Sequence, residues 1–356
     1  MAPIPVPDGQ PSGYVHPGDG TQHVTYTAGD RIHELWWSGL WQYSDLSAAA
    51  AAPIAPAGVG RGYVHPNGTQ HIPFRGADFL VHELWWDGSW HYNNLSKAAN
   101  AQSGAEGAVS GYVHSDGTQH VVYVGQPNGE IHEVWWNGEW HQANLTAQAS
   151  APVNTRAKTV RGYAHPGDGT QHVTYQGFDG HIHELWWDGA WHHADLTAAS
   201  GAPSNVNSLP LPYVHPGDGT QHVTYIATNG HIQELWWAGG WSHADLTASS
   251  GAPVGAIDIG QGYVHPDGSQ HIPFLTSDGD LHELWWSGGW HYADLSGAQV
   301  GNLAKNIGHG YAHPGDKTQH IPFRATGQTT NGHLCELWWN GTWRFADLTQ
   351  AVGGGP

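Results

Sequence analysis

The sequence holds one cysteine, Cys335, in 356 residues. An intramolecular disulfide is therefore excluded, and cysteine usage leaves the redox compartment open. Charge is also sparse: 12% of the residues are Asp, Glu, Lys or Arg, about half the share of an ordinary soluble domain. Such scarcity accompanies disorder or a membrane, and neither fits. No apolar run approaches the roughly 20 residues that span a bilayer, and 21 Trp are too many for a chain that stays unfolded. Basic residues are the scarcest charges, 11 against 30 acidic ones, for a formal net charge of −19 with His neutral. With no basic stripe to neutralise phosphates, nucleic acid is excluded as a partner, and membrane insertion is not expected. The opening MAPIPVPDGQ has neither a basic segment nor an apolar core, so no secretory signal is expected. That points to the cytoplasm, or to release by a route that needs no leader. The Asn-x-Thr/Ser tripeptides at Asn67, Asn94, Asn144 and Asn340 are glycosylation acceptors only in a secretory setting.

What is abundant is Gly (50), His (29), Trp (21) and Tyr (14). Protonating every His would carry the formal charge from −19 to +10, so behaviour should change near the ordinary imidazole pKa of roughly 6.5. These residues recur in a signature, G-Y-V-H-P-x-D-G-T-Q-H-V-x-Y, then a variable turn, then I-H-E-L-W-W-x-G-x-W-x-x-A-D-L-T. Its opening Tyr falls at Tyr14, Tyr63, Tyr112, Tyr163, Tyr213, Tyr263 and Tyr311, and successive signature Glu lie 49 to 53 residues apart. The seven modules run approximately over 13–47, 62–96, 111–146, 162–197, 212–247, 262–296 and 310–349. Ala/Gly/Pro/Ser stretches between them, such as Ser47–Gly60 and Thr197–Pro212, read as surface connections.

Each module reads as four short strands; in the first these are Gly13–His16, His23–Thr27, Arg31–Trp37 and Trp41–Leu46. The turns between them carry the Gly, Asp and Asn expected of hairpins. The pattern predicts an all-β fold, a seven-bladed β-propeller with four antiparallel strands per blade, forming a single domain over 1–356. A helical solenoid is excluded because Gly, β-branched and aromatic residues fill positions where a helix needs Leu, Ala, Glu and Lys. Ala48–Ala52 and Lys97–Ala101 could form a helical turn, but only between blades. Three Trp per module are expected to supply the packing between blades.

The chemistry-bearing oddity is a Glu in mid-strand. Alternation puts Ile32, Glu34 and Trp36 on one face and His33, Leu35 and Trp37 on the other. Both faces of a blade meet neighbours, and a buried carboxylate needs partners. The candidate partner is the His of T/S-Q-H on the adjacent strand: His23, His71, His120, His172, His222, His271 and His320. Such a pair walled by Trp can hydrogen-bond sugar hydroxyls, or it can simply hold blades together, and the repeat leaves both readings open.

Other polar positions are read structurally. His16 and its equivalents His65, His114, His165, His215, His265 and His313 are expected to bond within the fold. The D-G step is turn chemistry. No compact metal-ligand spacing, nucleophile elbow or sialidase box is present. The second acid that a glycosidase needs is spoiled by Asn94 and Asn144 standing where other modules have Asp. Neither a cofactor nor a metal nor catalysis is expected.

The blocks I-H-E-L-W-W-S-G-x-W and T-Q-H-V-T-Y resemble the six-bladed fungal fucose-specific lectin family of the Aleuria type, over about 25 residues in each module. The resemblance implies a sugar between neighbouring blades. One blade supplies a strand-two basic residue and the strand-three Glu; the next supplies an aromatic three residues after its own Glu and the Trp of its G-x-W step. On this sequence that pairs His23 and Glu34 with Trp86 and Trp90, then His71 and Glu83 with Trp136 and Trp140. His120 and Glu133 pair with Trp187 and Trp191, and His172 and Glu184 with Trp237 and Trp241. His222 and Glu234 pair with Trp286 and Trp290, and His271 and Glu283 with Trp339 and Trp343. The last site joins His320 and Glu336 to Trp37 and Trp41. Two features depart from that family: seven modules instead of six, and His at every position where it has Arg. His offers fewer donors and no fixed charge. The implied function is a non-catalytic, multivalent lectin with glycans as partners, fucose or a related monosaccharide favoured, and homo-oligomers possible. The alternative is a protein-interaction scaffold in which the Glu–His pairs are structural.

Overall fold

In the computed structural model, which describes residues 4–353 apart from 154, 157–158, 300–302 and 328–329, every module forms one antiparallel sheet. The chain is a seven-bladed β-propeller. In blade 1 the strands are Ser12–Val15, Gln22–Ala28, Arg31–Trp37 and Trp41–Asp45, paired in that order. These agree to within two residues with the strands expected from alternation. The register places Tyr14 opposite His23, Thr25 opposite Glu34, and Trp37 opposite Trp41. The other blades repeat this register around their own Glu. Residues 328–329 of the seventh module lie outside the described residues.

Three expectations are corrected. The stretches between modules are not all plain connections. Pro56–Val59, Ala256–Ile259 and Ala304–Ile307 pair with the second strands of blades 2, 6 and 7 as detached parts of the first strand. In blade 3 the two parts merge into Ala105–Val113 with an irregularity in register. The helical turns begin at the Leu after the fourth strand, as in Leu46–Ala49 and Leu95–Ala98, and not at the later alanines. The residue before that Leu decides this. Asn94, Asn144, Asp195 and Asp245 each cap the turn by accepting from a backbone N–H three residues on. Asp and Asn cap equally well, which accounts for their interchange.

The third correction concerns packing between blades. The chain divides into two compact units, Met1–Leu46 with Asn229–Gln233 and Asp245–Pro356, and Ser47–Thr228 with Glu234–Ala244. Within the second unit, Val122 and Val124 of blade 3 pack on Val173, Tyr175 and Leu185 of blade 4. Within the first, Leu275 and Leu281 of blade 6 pack on Ile321, Phe323 and Leu337 of blade 7, and Leu334 of blade 7 joins Val24 and Leu35 of blade 1. The buried seams are therefore aliphatic with Tyr and Phe. All three Trp of every module are only half-buried, because they lie where the third and fourth strands run out into an exposed turn.

A glycine before the opening Tyr, present in six modules and replaced by Pro212 in the fifth, sets how closely neighbours approach. A Cβ at Gly162 would come within 2.6 Å of the Tyr112 ring, and one at Gly310 within 2.6 Å of Tyr263. The opening Tyr of each of these blades lies flat against the first strand of the next, and only Gly leaves room for it.

Candidate functional site

Blade 3 shows the side-chain arrangement. In the turn after its first strand, Asp116 Oδ1 accepts from the Thr118 amide and hydroxyl at 2.8 and 2.6 Å. Partial burial would raise this carboxyl, but the bonds from Thr118, together with His114, prevail and hold it at about 2. Thr118 Oγ1 lies 2.7 Å from His120 Nε2, and His120 Nδ1 lies 2.8 Å from Glu133 Oε1. Tyr112 stacks on His120 with ring centroids 5.0 Å apart. Its hydroxyl donates to Glu133 Oε1 at 3.3 Å and to Gln171 Oε1 of blade 4 at 3.0 Å. Burial, reinforced by the Glu133 charge, pushes the Tyr112 phenol well above its ordinary value, so it stays a donor.

Thr118 has one hydroxyl hydrogen, and Asp116 takes it. The two ring nitrogens of His120 are thus bracketed by the Thr118 hydroxyl oxygen and the Glu133 carboxylate. The same Thr/Ser–His–Glu–Tyr sequence of contacts is present in all seven blades, with His–Glu distances of 2.8 to 3.0 Å.

The structure thus brings each predicted His onto its predicted Glu. The pairs lie deeper than a fully open site: the seven Glu are 2–4% exposed and the seven His 4–6%. In every blade Oε1 takes both the His and the Tyr bond. No hydrogen bond to Oε2 is found among the described residues. None of these Oε2 atoms is among the fully enclosed polar atoms that lack a partner, so each remains reachable from solvent.

Within each unit, the Glu face of one blade opposes the face of the next that carries its T-Q-H Gln and its two wall Trp. Tyr63 reaches Gln119, Tyr163 reaches Gln221, Tyr263 reaches Gln319 and Tyr311 reaches Gln22. That Gln sits opposite the second Trp of its own W-W step, as Gln171 does Trp187. Trp187 consequently stands edge-on to His114 of blade 3 at 6.2 Å, and Trp339 to His265 of blade 6 at 6.1 Å. The two wall Trp of a blade touch each other, with centroids 5.6 Å apart for Trp136 and Trp140, 5.8 Å for Trp237 and Trp241, 5.7 Å for Trp286 and Trp290, and 5.8 Å for Trp37 and Trp41. Trp86 and Trp90 face one another across their hairpin in the same register.

Three contacts of these side chains were not read from the sequence. The Gln of T-Q-H takes the phenol hydrogen of the preceding blade. The opening Tyr roofs the His. The first Trp of each W-W step lies on the Glu face beside the fourth-strand residue opposite it, as in the stacked pairs Trp135–His141 and Trp186–His192, 4.4 and 4.3 Å apart. Their presence in every module was the available signal. The His16-type residues are structural in the expected way: His114 Nε2 donates to the Gly169 carbonyl of blade 4 at 2.7 Å, and His165 to Gly219 at 2.8 Å. In most blades Nδ1 accepts from turn amides, as His165 does from Gly167 and Asp168. Among the described residues no group of three or more His, Cys, Asp or Glu could hold a metal ion. Cys335 is buried, and burial pushes its thiol up and away from nucleophilic use.

No family model matches the chain, and no curated protein matches it in sequence. Solved structures do match. The BP39L lectin from Burkholderia pseudomallei superposes with a TM-score of 0.72 at 12% identity, covering 95% of this chain and 98% of that one. AofleA from Arthrobotrys oligospora gives 0.51 at 17%, covering 81% and 85%. The lectin of Aleuria aurantia, described as a six-bladed propeller with a fucose recognition mode, gives 0.51 at 17%, covering 80% and 93%. The fold of this chain is that of the lectin propellers, carried here on seven blades.

Proposed function

We propose that the protein is a multivalent, non-catalytic lectin that holds sugars in the seams between adjacent blades, with fucose or a related monosaccharide favoured. The observation that carries this reading is the Glu Oε2 that accepts from no described residue, in seams within one unit, such as that of blades 3 and 4, whose far side carries a half-buried Trp pair. A carboxylate oxygen accepts from sugar hydroxyls, and an indole face covers the apolar C–H side of a pyranose. The His holds the Glu in place instead of presenting a fork of donors as Arg would. The lectin folds of the similar structures support the class of ligand.

The second reading is a scaffold in which the Tyr–Glu–His–Gln network only joins blades. Burial of the pairs favours it. Glycan-array binding, with inhibition by free monosaccharides, separates the two when combined with Glu133→Gln and Trp187→Ala. A sugar site loses binding at that seam while the fold is kept. A purely structural network loses thermal stability and has no binding to lose. Absence of binding to any glycan at neutral and mildly acidic pH would falsify the lectin reading.

A further inference from the structure

The fourth-strand residue opposite the first Trp differs among blades. It is Gln42, His91, His141, His192, Ser242 and His291 in blades 1 to 6, and Arg344 in blade 7. Arg344 is the only Lys or Arg among these seven fourth-strand residues. It is exposed, and its guanidinium lies over the Trp338 ring at 5.3 Å. Where blades 2 and 4 have a His at this place, the hairpin supplies its own carboxylate: His91 Nε2 bonds Asp87 at 2.8 Å and His192 bonds Asp188 at 3.0 Å. The blade 7 turn is Asn340–Gly341–Thr342, with no acid, and no ion pair to Arg344 is found among the described residues. Stacking on indole holds a guanidinium flat and leaves its in-plane N–H donors free for a bidentate acceptor.

Alternation puts Trp338 and Arg344 on the face that carries Glu336 and His320. That face opposes blade 1, because Tyr311 donates to Gln22 at 3.2 Å and His313 to the Gly20 carbonyl at 2.9 Å. Gln22 in turn sits opposite Trp37, which touches Trp41. The seam between blades 7 and 1 therefore combines a carboxylate oxygen, an indole wall and an unneutralised cation. Arg161 also lies on the Glu face of its blade, opposite Thr174, but it is half-buried and donates to the Val160 carbonyl, whereas Arg344 is exposed on its indole. In a chain of net charge −19 an exposed, unneutralised guanidinium favours an anion at its own seam.

We propose that the blade 7–blade 1 seam takes a carboxylate-bearing sugar of the uronic acid type, with Arg344 gripping the carboxylate, while the other seams take neutral sugars. This rests on the lectin reading above. The test is calorimetric titration of the full chain with methyl uronosides and the matching neutral methyl hexosides. Wild type is expected to bind one uronoside per chain, more weakly as salt rises. Arg344→Gln should weaken that binding by about tenfold or more and leave neutral-sugar binding at the other seams unchanged. His291→Arg should create a second uronoside equivalent. Uronoside binding that survives Arg344→Gln, or neutral binding with no uronoside binding, overturns this assignment and leaves the lectin reading standing. Failure of both sugar classes to bind wild type removes the lectin reading itself.

Discussion

At the scale of single residues, the Tyr of the repeat is the clearest case of a side chain serving both its own blade and the next. Tyr112 gives one hydrogen to two buried acceptors, Glu133 Oε1 and Gln171 Oε1, while its ring occupies the space left by Gly162. Tyr112→Phe keeps the ring and removes the donor, leaving the buried Gln171 oxygen unpaired. An unsatisfied buried acceptor costs roughly 1–3 kcal/mol, so the denaturation midpoint should fall. The His120–Glu133 bond is untouched, so sugar binding in that seam should persist. An unchanged midpoint would mean that the contact contributes nothing between blades. The sequence displayed this Tyr in every module but not its partner. The Gln lies about 50 residues further on, and its approach depends on the blade-to-blade register, which alternation within one sheet does not contain.

At the scale of elements, strand positions were legible because alternation and turn residues act locally. Gly20, Gly117 and Gly169 adopt the left-handed conformations that the D-G step demands, and blade 7 forces Lys317 into the same region. Detached first strands such as Ala256–Ile259 were not legible, since their short Ala/Gly/Ile runs gain order only by pairing with the second strand. That element also carries an acid. Asp258 is half-buried and accepts from the amides of Ile259 at 3.0 Å and Ile307 of blade 7 at 3.1 Å. Burial outweighs those bonds and raises its carboxyl to about 6. Between about pH 4 and 6 the folded protein keeps a proton that the unfolded chain has released, so stability from this group is present in acid and lost as pH rises through 6. Asp258→Asn imitates the protonated form. Its melting temperature should match wild type near pH 4 and exceed it at pH 7.5, by about 1–3 kcal/mol in stability. A variant less stable than wild type at the higher pH would show that the ionised carboxylate is the better partner for Ile307.

At the scale of the molecule, repetition is itself the functional argument. The signature made seven blades legible, and its G-x-W step put a Trp at the start of each fourth strand. It did not reveal that the Trp stay half-buried at the seam ends while Val, Ile and Leu fill the interior; that follows from where each strand meets its turn. In the proposed lectin one such Trp pair would be a small contact and hence a weak site, and several on one chain would engage a glycan surface together. The second Trp of each W-W step is the place to test this, because the G-x-W Trp of the same blades, Trp140, Trp191 and Trp241, pack on the core clusters. Replacing Trp136, Trp187 and Trp237 by Ala one after another should remove one monosaccharide equivalent each time in calorimetry. Retention on a dense glycan surface should fall far faster, by about ten- to a hundredfold once all three are gone, since each lost site removes a factor and not a share. Surface retention that merely declined in step with the number of intact walls would mean that the seams bind independently, and that the repeat serves the fold more than the ligand.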